Sequence, residues 1–434
     1  MENNLRPKWS TRLAFILSAI GSAVGLGNIW RFPYIMGEGG GAVFLLTYLI
    51  LIFLVCIIPL IAEIVIGKTM QKDNVGSYQA INKNFRVFGW SNVITTIFIM
   101  GFYFVVCGWI VDYFFKALVN YKMIDCAQYF TSLTSNLFYA PALGIIFTIT
   151  CAFFIFQGLN KGVEAVNKFM VPALGVIMIL LAGYALTLPN AAAGLEFMFK
   201  PDFSKFNVHM VLTALGQALF TLSIGMGAML IYGSYLPKEE KLGKNLFSIV
   251  IFDTLFALTA GVLIFCSVFS FGLQPEVGPS LVFITLPKIF AQMSIGYFVA
   301  VLFFLLLFFA AFTSAISMFE VVVATFEERF NITRKHATII TSAIVIVLVT
   351  LASLSLGAIP ELKLFGKNLF DLFDYATSNI MLPLNSAIAC LVAGWFVVPK
   401  LDNLFQYKFL HKIVLFMMRF ILPIILISLI FIGN

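Results

Sequence analysis

The sequence predicts an all-α polytopic membrane protein with about eleven transmembrane helices, and three observations lead to this prediction. Of the 434 residues, 61% are hydrophobic and only 11% are charged, so the chain lacks the polar side chains that a soluble domain of this size needs on its surface. Apolar runs of about 20 residues recur from end to end, each long enough to cross the ~30 Å hydrocarbon core of a bilayer. Because no stretch alternates as a barrel strand does, helices must satisfy the backbone hydrogen bonds.

Eleven apolar runs, named spans one to eleven in chain order, cover most of the sequence. The run over 280–290 is shorter and contains Pro287, which predicts a helical outer loop. Span one is too long for the apolar region of a cleavable signal peptide. The spans lie near residues 12–36, 42–67, 89–117, 138–157, 165–188, 210–233, 246–272, 294–325, 337–357, 368–397 and 413–433.

Basic residues cluster in alternate loops and set the expected orientation. These loops hold 18 of the 27 lysines and arginines, and short loops rich in such residues stay on the cytoplasmic side. An odd number of spans then places the amino terminus inside and the carboxyl terminus outside. The formal charge of +7 follows from these loops and does not indicate a nucleic-acid partner. The residues are Arg6, Lys8, Arg12, Lys68, Lys72, Lys83, Arg86, Lys161, Lys168, Lys238, Lys241, Lys244, Arg329, Arg334, Lys335, Lys400, Lys408 and Lys412.

Spans one and six each carry glycines and polar residues inside an apolar run. Span one reads GSAVGLGNIWRFP from Gly21 to Pro33, and span six reads GQALFTLSIGMG from Gly216 to Gly227. A glycine inside a helix costs about 1 kcal/mol relative to alanine, and an arginine such as Arg31 inside a membrane costs more. Close helix packing is the alternative use of such glycines, and a dinucleotide loop is excluded because no strand precedes them. The doubled pattern with polar side chains favours two broken helices.

Broken helices at corresponding positions of two halves are typical of inverted-repeat transporters, whose binding site lies at the breaks. Freed peptide N–H groups and a half-helix amino end can hold a carboxylate. Freed carbonyl oxygens suit Na⁺ as they suit other hard cations. We therefore expect a single transporter domain over 1–434. Its parts are a first repeat over about 10–188, a second repeat over about 209–397 and an extra helix over about 410–433.

The stretch GSAVGLGNIWRFPY, from Gly21 to Tyr34, resembles the neurotransmitter:sodium symporter family, in particular its bacterial amino-acid branch. The similarity continues through Gly216–Tyr235, Phe283–Pro287 and Phe308–Ser314 and covers essentially the whole chain. It implies two inverted five-helix repeats, a bundle that rocks against a scaffold for alternating access, and a multi-pass protein of a bacterial inner membrane. It also implies Na⁺ as the coupling ion, an amino-acid substrate, no organic cofactor and no enzymatic activity.

The resemblance implies two sodium sites. In span eight, the hydroxyls of the second site have an alternative use, which is bonding to the preceding turn of their own helix. The first site consists of the substrate carboxylate, the Ala23 carbonyl, Asn28, Thr221 and Asp253. The second consists of the carbonyls of Gly21, Val24 and Ala310 and the hydroxyls of Thr313 and Ser314.

The resemblance also implies a substrate pocket and two gates. Tyr103 has an alternative interpretation as an ordinary bundle aromatic, since the chain holds 14 tyrosines. The expected pocket residues are Ala23, Gly25, Ile99, Tyr103, Phe220, Thr221, Ser223, Met226, Ser314 and Met318. The expected gates are Arg31 with Asp374 on the outer side, where Gln217 and Glu63 place the arginine, and Arg6 with Glu328 on the inner side, steadied by Trp9 and Tyr235.

Asp253 and Met226 refine the expected function. Asp253 supplies a negative charge within span seven, where many animal relatives have Asn and a bound chloride, so we expect chloride-independent transport. A proton carried back by Asp253 is a further hypothesis, and a protonated, purely structural Asp253 is the alternative. Met226 lies between two glycines, and its flexible thioether can yield to larger side chains. We therefore expect a hydrophobic substrate, aromatic or otherwise bulky.

Other functional classes remain open on the sequence alone. A proton-coupled amino-acid carrier of the same architecture is the main alternative, and an ion channel or a sensor is a second. A membrane enzyme has the least support, because neither an HExxH motif nor a nucleophile elbow is present. The exact amino acid, the sodium stoichiometry and the oligomeric state stay undetermined. We expect Glu320 to face a wet inner vestibule, and Asp112 has no assigned role.

Overall fold

A computed structural model describes residues 6–120, 122, 125–240, 243–273, 278–400 and 408–432. Within these ranges, nine helices are long and apolar enough to cross a membrane, and one further pair of helices passes the same test as a bent unit. The nine are Ala42–Met70, Lys83–Asn120, Tyr139–Phe156, Leu159–Leu186, Leu246–Ser270, Gly296–Phe330, Arg334–Ser355, Leu369–Val397 and Phe409–Phe431. They correspond to spans two to five and seven to eleven.

Span one is the bent pair. The helix Arg12–Ala23 begins where the Thr11 hydroxyl accepts a hydrogen bond from the Ala14 N–H, which is a standard helix cap. It ends at Val24, whose ψ of 98° is extended rather than helical. The second half, Gly27–Glu38, starts with a π-helical turn and is inclined by 46° to the first. The predicted break in span one is confirmed.

Span six is broken more widely. Its halves are Val208–Thr221 and Ala228–Ser234, and at about 1.5 Å of rise per residue neither can cross a bilayer alone. Between them the backbone has positive φ at Ser223 (54°), Gly225 (85°) and Gly227 (76°). Glycine adopts such angles without steric cost, so the two glycines allow the chain to leave the helix and re-enter it. With this pair, all eleven predicted spans are accounted for.

Spans three and eight form the centre of the molecule, since about four-fifths of each is buried. The halves of broken spans one and six pack against span eight and against spans two and seven. Many large apolar side chains on the outer spans are exposed, including Leu54, Phe153 and Ile179. In water, an exposed apolar surface of this extent is uncommon. In a bilayer it faces the lipid chains.

Short elements connect the spans. The predicted helical loop is confirmed as Leu281–Gln292, which begins with a π-helical turn. Strands Lys363–Leu364 and Lys367–Asn368 pair antiparallel around a two-residue turn. The other short helices are Asn74–Ile81, Cys126–Thr134 and Ala191–Phe199, with 3₁₀ turns at Lys83–Phe85, Phe203–Lys205 and Val398–Lys400.

Candidate transport site

The two breaks lie against each other in the interior. The Ser223 hydroxyl donates to the carbonyl of Ser22 at 2.8 Å, which joins the break of span six to that of span one. The Gln217 amide donates to the carbonyl of Gly27 at 2.7 Å. Within span one, the Asn28 side chain accepts from the peptide N–H of Gly25 at 3.0 Å. The carbonyl of Ser22, which a continuous helix would use internally, is thus turned toward the partner helix.

A cavity lies between the breaks, and all ten predicted pocket residues line it. Its volume is about 20 Å³, which is room for about one water molecule. Sequence reasoning missed Ser22, Leu26 and Gly27, which also line it. All three lie in the run from Gly21 to Asn28, beside predicted pocket residues. The position of the break in span one could therefore have identified them from the sequence.

Two hydroxyls converge on Gly25. A Cβ atom at this position would lie 2.4 Å from the Ser314 Oγ and 3.4 Å from the Tyr103 hydroxyl, so a side chain would obstruct the cavity. The Tyr103 hydroxyl is buried and has no hydrogen-bond partner among the described residues. Buried polar groups in native proteins are almost always paired. A ligand with an acceptor, such as a carboxylate, would satisfy this donor.

Three of the four protein groups predicted for the first sodium site meet around Asp253. Its Oδ1 accepts from the Asn28 amide at 2.8 Å and from the Thr221 hydroxyl at 3.0 Å. Its Oδ2 is buried and makes no hydrogen bond of standard geometry in the described part of the chain, although the Tyr48 hydroxyl lies beside the carboxylate. An unpaired buried carboxylate oxygen is costly, and it is the type of hard donor that Na⁺ shares with other hard cations. Ala23, the fourth predicted ligand, lines the same cavity as Thr221.

The groups predicted for the second sodium site lie where span eight passes the first half of span one. The Ser314 hydroxyl is 3.3 Å from the carbonyl of Gly21 and bridges the two spans. The Thr313 hydroxyl bonds within its own helix, to the carbonyl of Ala310 at 3.2 Å, as the back-bonding alternative expects. Val24 is the first residue beyond the helical half, so its carbonyl lies outside the helix ladder. All of the predicted ligand atoms are oxygens, the atom type that binds hard cations such as Na⁺.

On the side predicted to be external, Arg31 and Asp374 line one cavity of about 260 Å³. Arg31 donates to the Gln217 side chain at 3.1 Å and stacks over the Phe220 ring at 4.9 Å. Within the described ranges, no direct ion pair joins Arg31 to Asp374. Phe220 and Tyr103 line both this cavity and the inner one, so their rings form the partition between them.

The four residues predicted for the inner gate are in contact with one another. Arg6 makes an ion pair with Glu328 at 2.5 Å and also donates to the Ser234 hydroxyl. Its guanidinium lies over the Tyr235 ring at 5.0 Å. Trp9 packs edge-on against the same ring, and its backbone N–H donates to the Tyr235 carbonyl at 3.3 Å. The four predicted inner-gate residues therefore form one contiguous cluster.

The expectation for Glu320 is wrong. This residue is fully buried and does not face a wet vestibule. It accepts from the Tyr235 hydroxyl at 2.6 Å and pairs with Arg334. Arg334 also approaches Glu327 at 3.6 Å, which explains why Glu328 rather than Glu327 pairs with Arg6. Burial of a carboxylate is tolerated here because both of its oxygens are paired.

Two further carboxylates have partners that the sequence did not indicate. Glu63 was expected to help place Arg31, but its Oε1 instead accepts from the peptide N–H of Gly225 at 2.6 Å, in the break of span six. Asp112 is held by the hydroxyls of Tyr129 and Tyr139 at 2.7 and 2.6 Å, and it ties an outer loop helix to spans three and four. Glu63 thus holds the break of span six, and Asp112 holds a loop helix and the start of span four.

The chain is similar to known transporters over its whole length. The model of the "Sodium:neurotransmitter symporter family" matches residues 6–142 and 131–433. A protein of Bacillus subtilis (strain 168) described as an uncharacterized sodium-dependent transporter is 36% identical over 391 residues, with 88% of this chain and 86% of that protein covered. An uncharacterized sodium-dependent transporter of Haemophilus influenzae is 31% identical over 455 residues, with 100% and 99% covered.

A solved structure agrees with the fold. The crystal structure of MhsT in complex with L-phenylalanine matches with a TM-score of 0.91 at 39% sequence identity, covering 99% of this chain and 100% of MhsT. The match extends over nearly the whole chain, including its broken spans one and six. Both relatives named above are described as sodium-dependent transporters. The chain therefore belongs to the sodium:neurotransmitter symporter family, as a sodium-dependent membrane symporter and not an enzyme.

Proposed function

We propose that this symporter imports a hydrophobic amino acid with an aromatic or otherwise bulky side chain. The observation that carries the proposal is the cavity between the two breaks, which is lined by Tyr103, whose hydroxyl makes no hydrogen bond of standard geometry among the described residues. The substrate carboxylate binds the Tyr103 hydroxyl and the Gly25 region. The ammonium group binds carbonyls around Ala23, Phe220 and Thr221. An amino acid then satisfies groups that neither break satisfies by itself.

The wall of the cavity supports a large apolar side chain. Ile99, Phe220, Met226 and Met318 supply apolar surface, and two of these residues are methionines with three rotatable side-chain bonds. Because the cavity volume is about 20 Å³, an aromatic substrate requires these side chains to change rotamer. The similar transporter MhsT binds phenylalanine, which favours the same class of ligand here.

Coupling follows from contact between ion and substrate. A sodium ion held by Asn28, Thr221 and Asp253 lies beside the substrate carboxylate, so each raises the affinity of the other. A second ion between Gly21 and Ser314 links span one of the moving bundle to span eight of the scaffold. It biases the equilibrium between outward- and inward-facing states only to the extent that its affinity differs between them.

Asp253 makes transport independent of chloride. When the ion is bound, the Asp253 carboxylate places a negative charge beside the first sodium site, so that no mobile anion is needed to balance the ion. We further propose that Asp253 returns to the outward-facing state with a bound proton, which gives proton counter-transport. The chain lies in a bacterial inner membrane with its amino terminus in the cytoplasm, in line with its basic loops.

The test uses purified protein in proteoliposomes with an inward sodium gradient. We expect uptake of labelled phenylalanine that stops when choline replaces Na⁺ and does not change when gluconate replaces chloride. The D253N variant should lose uptake or become dependent on added anion. Competition only by glycine or proline would contradict the substrate class, and uptake that persists in choline would contradict the coupling ion. Unchanged, anion-indifferent uptake by D253N would contradict the role of Asp253.

A further inference from the structure

Arg419 is a charged residue within the last apolar span, Phe409–Phe431. Among the described residues, no carboxylate forms an ion pair with it. Its Nε donates to the backbone carbonyl of Gly394 at 2.8 Å, and its guanidinium stacks on the Trp395 ring at 4.5 Å. A charged residue inside a membrane is expensive and marks a functional site by default. Within the described part of the chain, these two contacts leave both terminal nitrogens of the guanidinium available.

The backbones of spans ten and eleven approach each other closely where Arg419 contacts Gly394. A Cβ atom on Gly394 would lie 3.0 Å from the Met418 Cβ and 3.2 Å from the Arg419 Cγ, so a side chain there would push spans ten and eleven apart by a few tenths of an ångström. The helix of span eleven also widens into a π-helical turn over Met417–Ile421, where Arg419 lies. Such turns are frequent at functional sites.

The surroundings are those of a membrane interface. Trp395 is 47% exposed and Phe420 is 45% exposed, and their rings are in edge contact at 5.7 Å. Exposed aromatic side chains are typical of the boundary between head groups and acyl chains. Gly394 lies in the last turn of span ten, which ends at Val397 and leads into a loop predicted to be cytoplasmic. Lys412, two turns before Arg419 on the same helix, is exposed and adds a second positive charge.

We propose that the groove between spans ten and eleven binds the head group of an anionic phospholipid, with Arg419 as the main ligand. The two free guanidinium nitrogens can hold the phosphate in a bidentate manner. Lys412 adds electrostatic attraction, and the exposed rings of Trp395 and Phe420 cover the upper acyl chain. The cytoplasmic leaflet of a cell membrane carries the anionic lipids, which agrees with the predicted orientation. The bound lipid holds span eleven against the scaffold.

Full-length protein in nanodiscs of phosphatidylcholine, with or without phosphatidylglycerol, tests the site by native mass spectrometry after mild delipidation. We expect the wild type to retain phosphatidylglycerol and R419Q to retain it roughly tenfold less, as the loss of a charge-assisted contact predicts. R86Q, which removes an exposed arginine at the start of span three, should behave as the wild type. Equal retention by R419Q and the wild type, or equal losses in R419Q and R86Q, would overturn the proposal.

A measurement on the wild type alone keeps the test valid if R419Q does not fold. Phosphatidylglycerol should slow hydrogen exchange in 409–421 relative to phosphatidylcholine, and no difference in that segment would refute the site. Asp402 is the acidic residue nearest to Arg419 in sequence, and it lies outside the described residues. The D402N variant therefore tests whether Asp402 is the partner of Arg419. If D402N in pure phosphatidylcholine destabilises the protein as much as R419Q does, Arg419 has a protein partner and the proposal fails.

Discussion

The Y103F variant tests the substrate site with two effects of opposite sign. The Tyr103 hydroxyl is buried and makes no hydrogen bond of standard geometry among the described residues, so removing it costs at most weak contacts with Leu26 and Ser314 in that part of the protein. In the bound state, the same change removes a hydrogen bond to a charged carboxylate. Such a bond is worth about 1.5–3 kcal/mol, which corresponds to a roughly 10- to 150-fold increase in Kd.

Stability of the substrate-free protein should not fall. A buried hydroxyl without a partner carries a desolvation cost of about 1–3 kcal/mol, and Y103F removes part of it. We therefore expect an unchanged or higher Tm without substrate and a smaller rise of Tm on adding phenylalanine. Scintillation proximity binding and thermal unfolding in detergent measure both quantities on the same sample.

Y232F is the matched control, because the Tyr232 hydroxyl is also buried without a partner in the described part of the chain but does not line the cavity. It should leave the affinity for phenylalanine unchanged. Phenylalaninol, which lacks the carboxylate, should bind wild type and Y103F equally weakly. An unchanged affinity of Y103F for phenylalanine, or an equal loss for phenylalaninol, would refute the assignment of this hydroxyl to the carboxylate.

Three further predictions concern the site, the gate and the inner loop. G25A should abolish sodium-dependent phenylalanine binding, because its Cβ would lie 2.4 Å from the Ser314 Oγ, whereas G183A, with no atom within 4 Å, should bind normally. E328Q breaks the partly exposed inner ion pair, worth about 1 kcal/mol or less, so cysteine labelling from the inside should rise by roughly fivefold at most. Burial, with the Glu328 charge next, raises the pKa of Asp73 to about 6 from an ordinary value of about 3.9. The folded form thus holds an extra proton between these values, so Tm should fall as pH rises through about 4 to 6, and D73N should flatten that slope. Normal binding by G25A, a rise in labelling of E328Q far above fivefold, or an equal slope in D73N would contradict the respective account.

The fold was predictable because its two irregular elements interrupt an otherwise uniform pattern. Glycines and polar residues inside an apolar run are costly, so their occurrence in spans one and six is enough to indicate breaks in both helices. The pocket residues followed because many of them lie at these breaks, and the family resemblance supplied those from spans three and eight. Ser22, Leu26 and Gly27 were missed only because the resemblance did not single them out.

Contacts between distant segments were not predictable from one sequence. Glu320 and Arg334 belong to consecutive spans, but no local pattern shows that a buried carboxylate turns toward the next loop. Glu63 meets Gly225 across 162 residues, and this contact exists only because the break of span six exposes a peptide N–H. In such cases, the partner is a backbone group or a side chain whose position depends on the packing of the whole bundle.

The reciprocity of sodium and substrate binding tests the central claim most directly. If a sodium ion touches the substrate carboxylate between the two breaks, each ligand must raise the affinity of the other by the same factor. Equilibrium binding to purified protein, with phenylalanine titrated at several Na⁺ concentrations and Na⁺ titrated at several phenylalanine concentrations, should give equal factors above one. A phenylalanine affinity that stays the same when choline replaces Na⁺ would contradict the shared site.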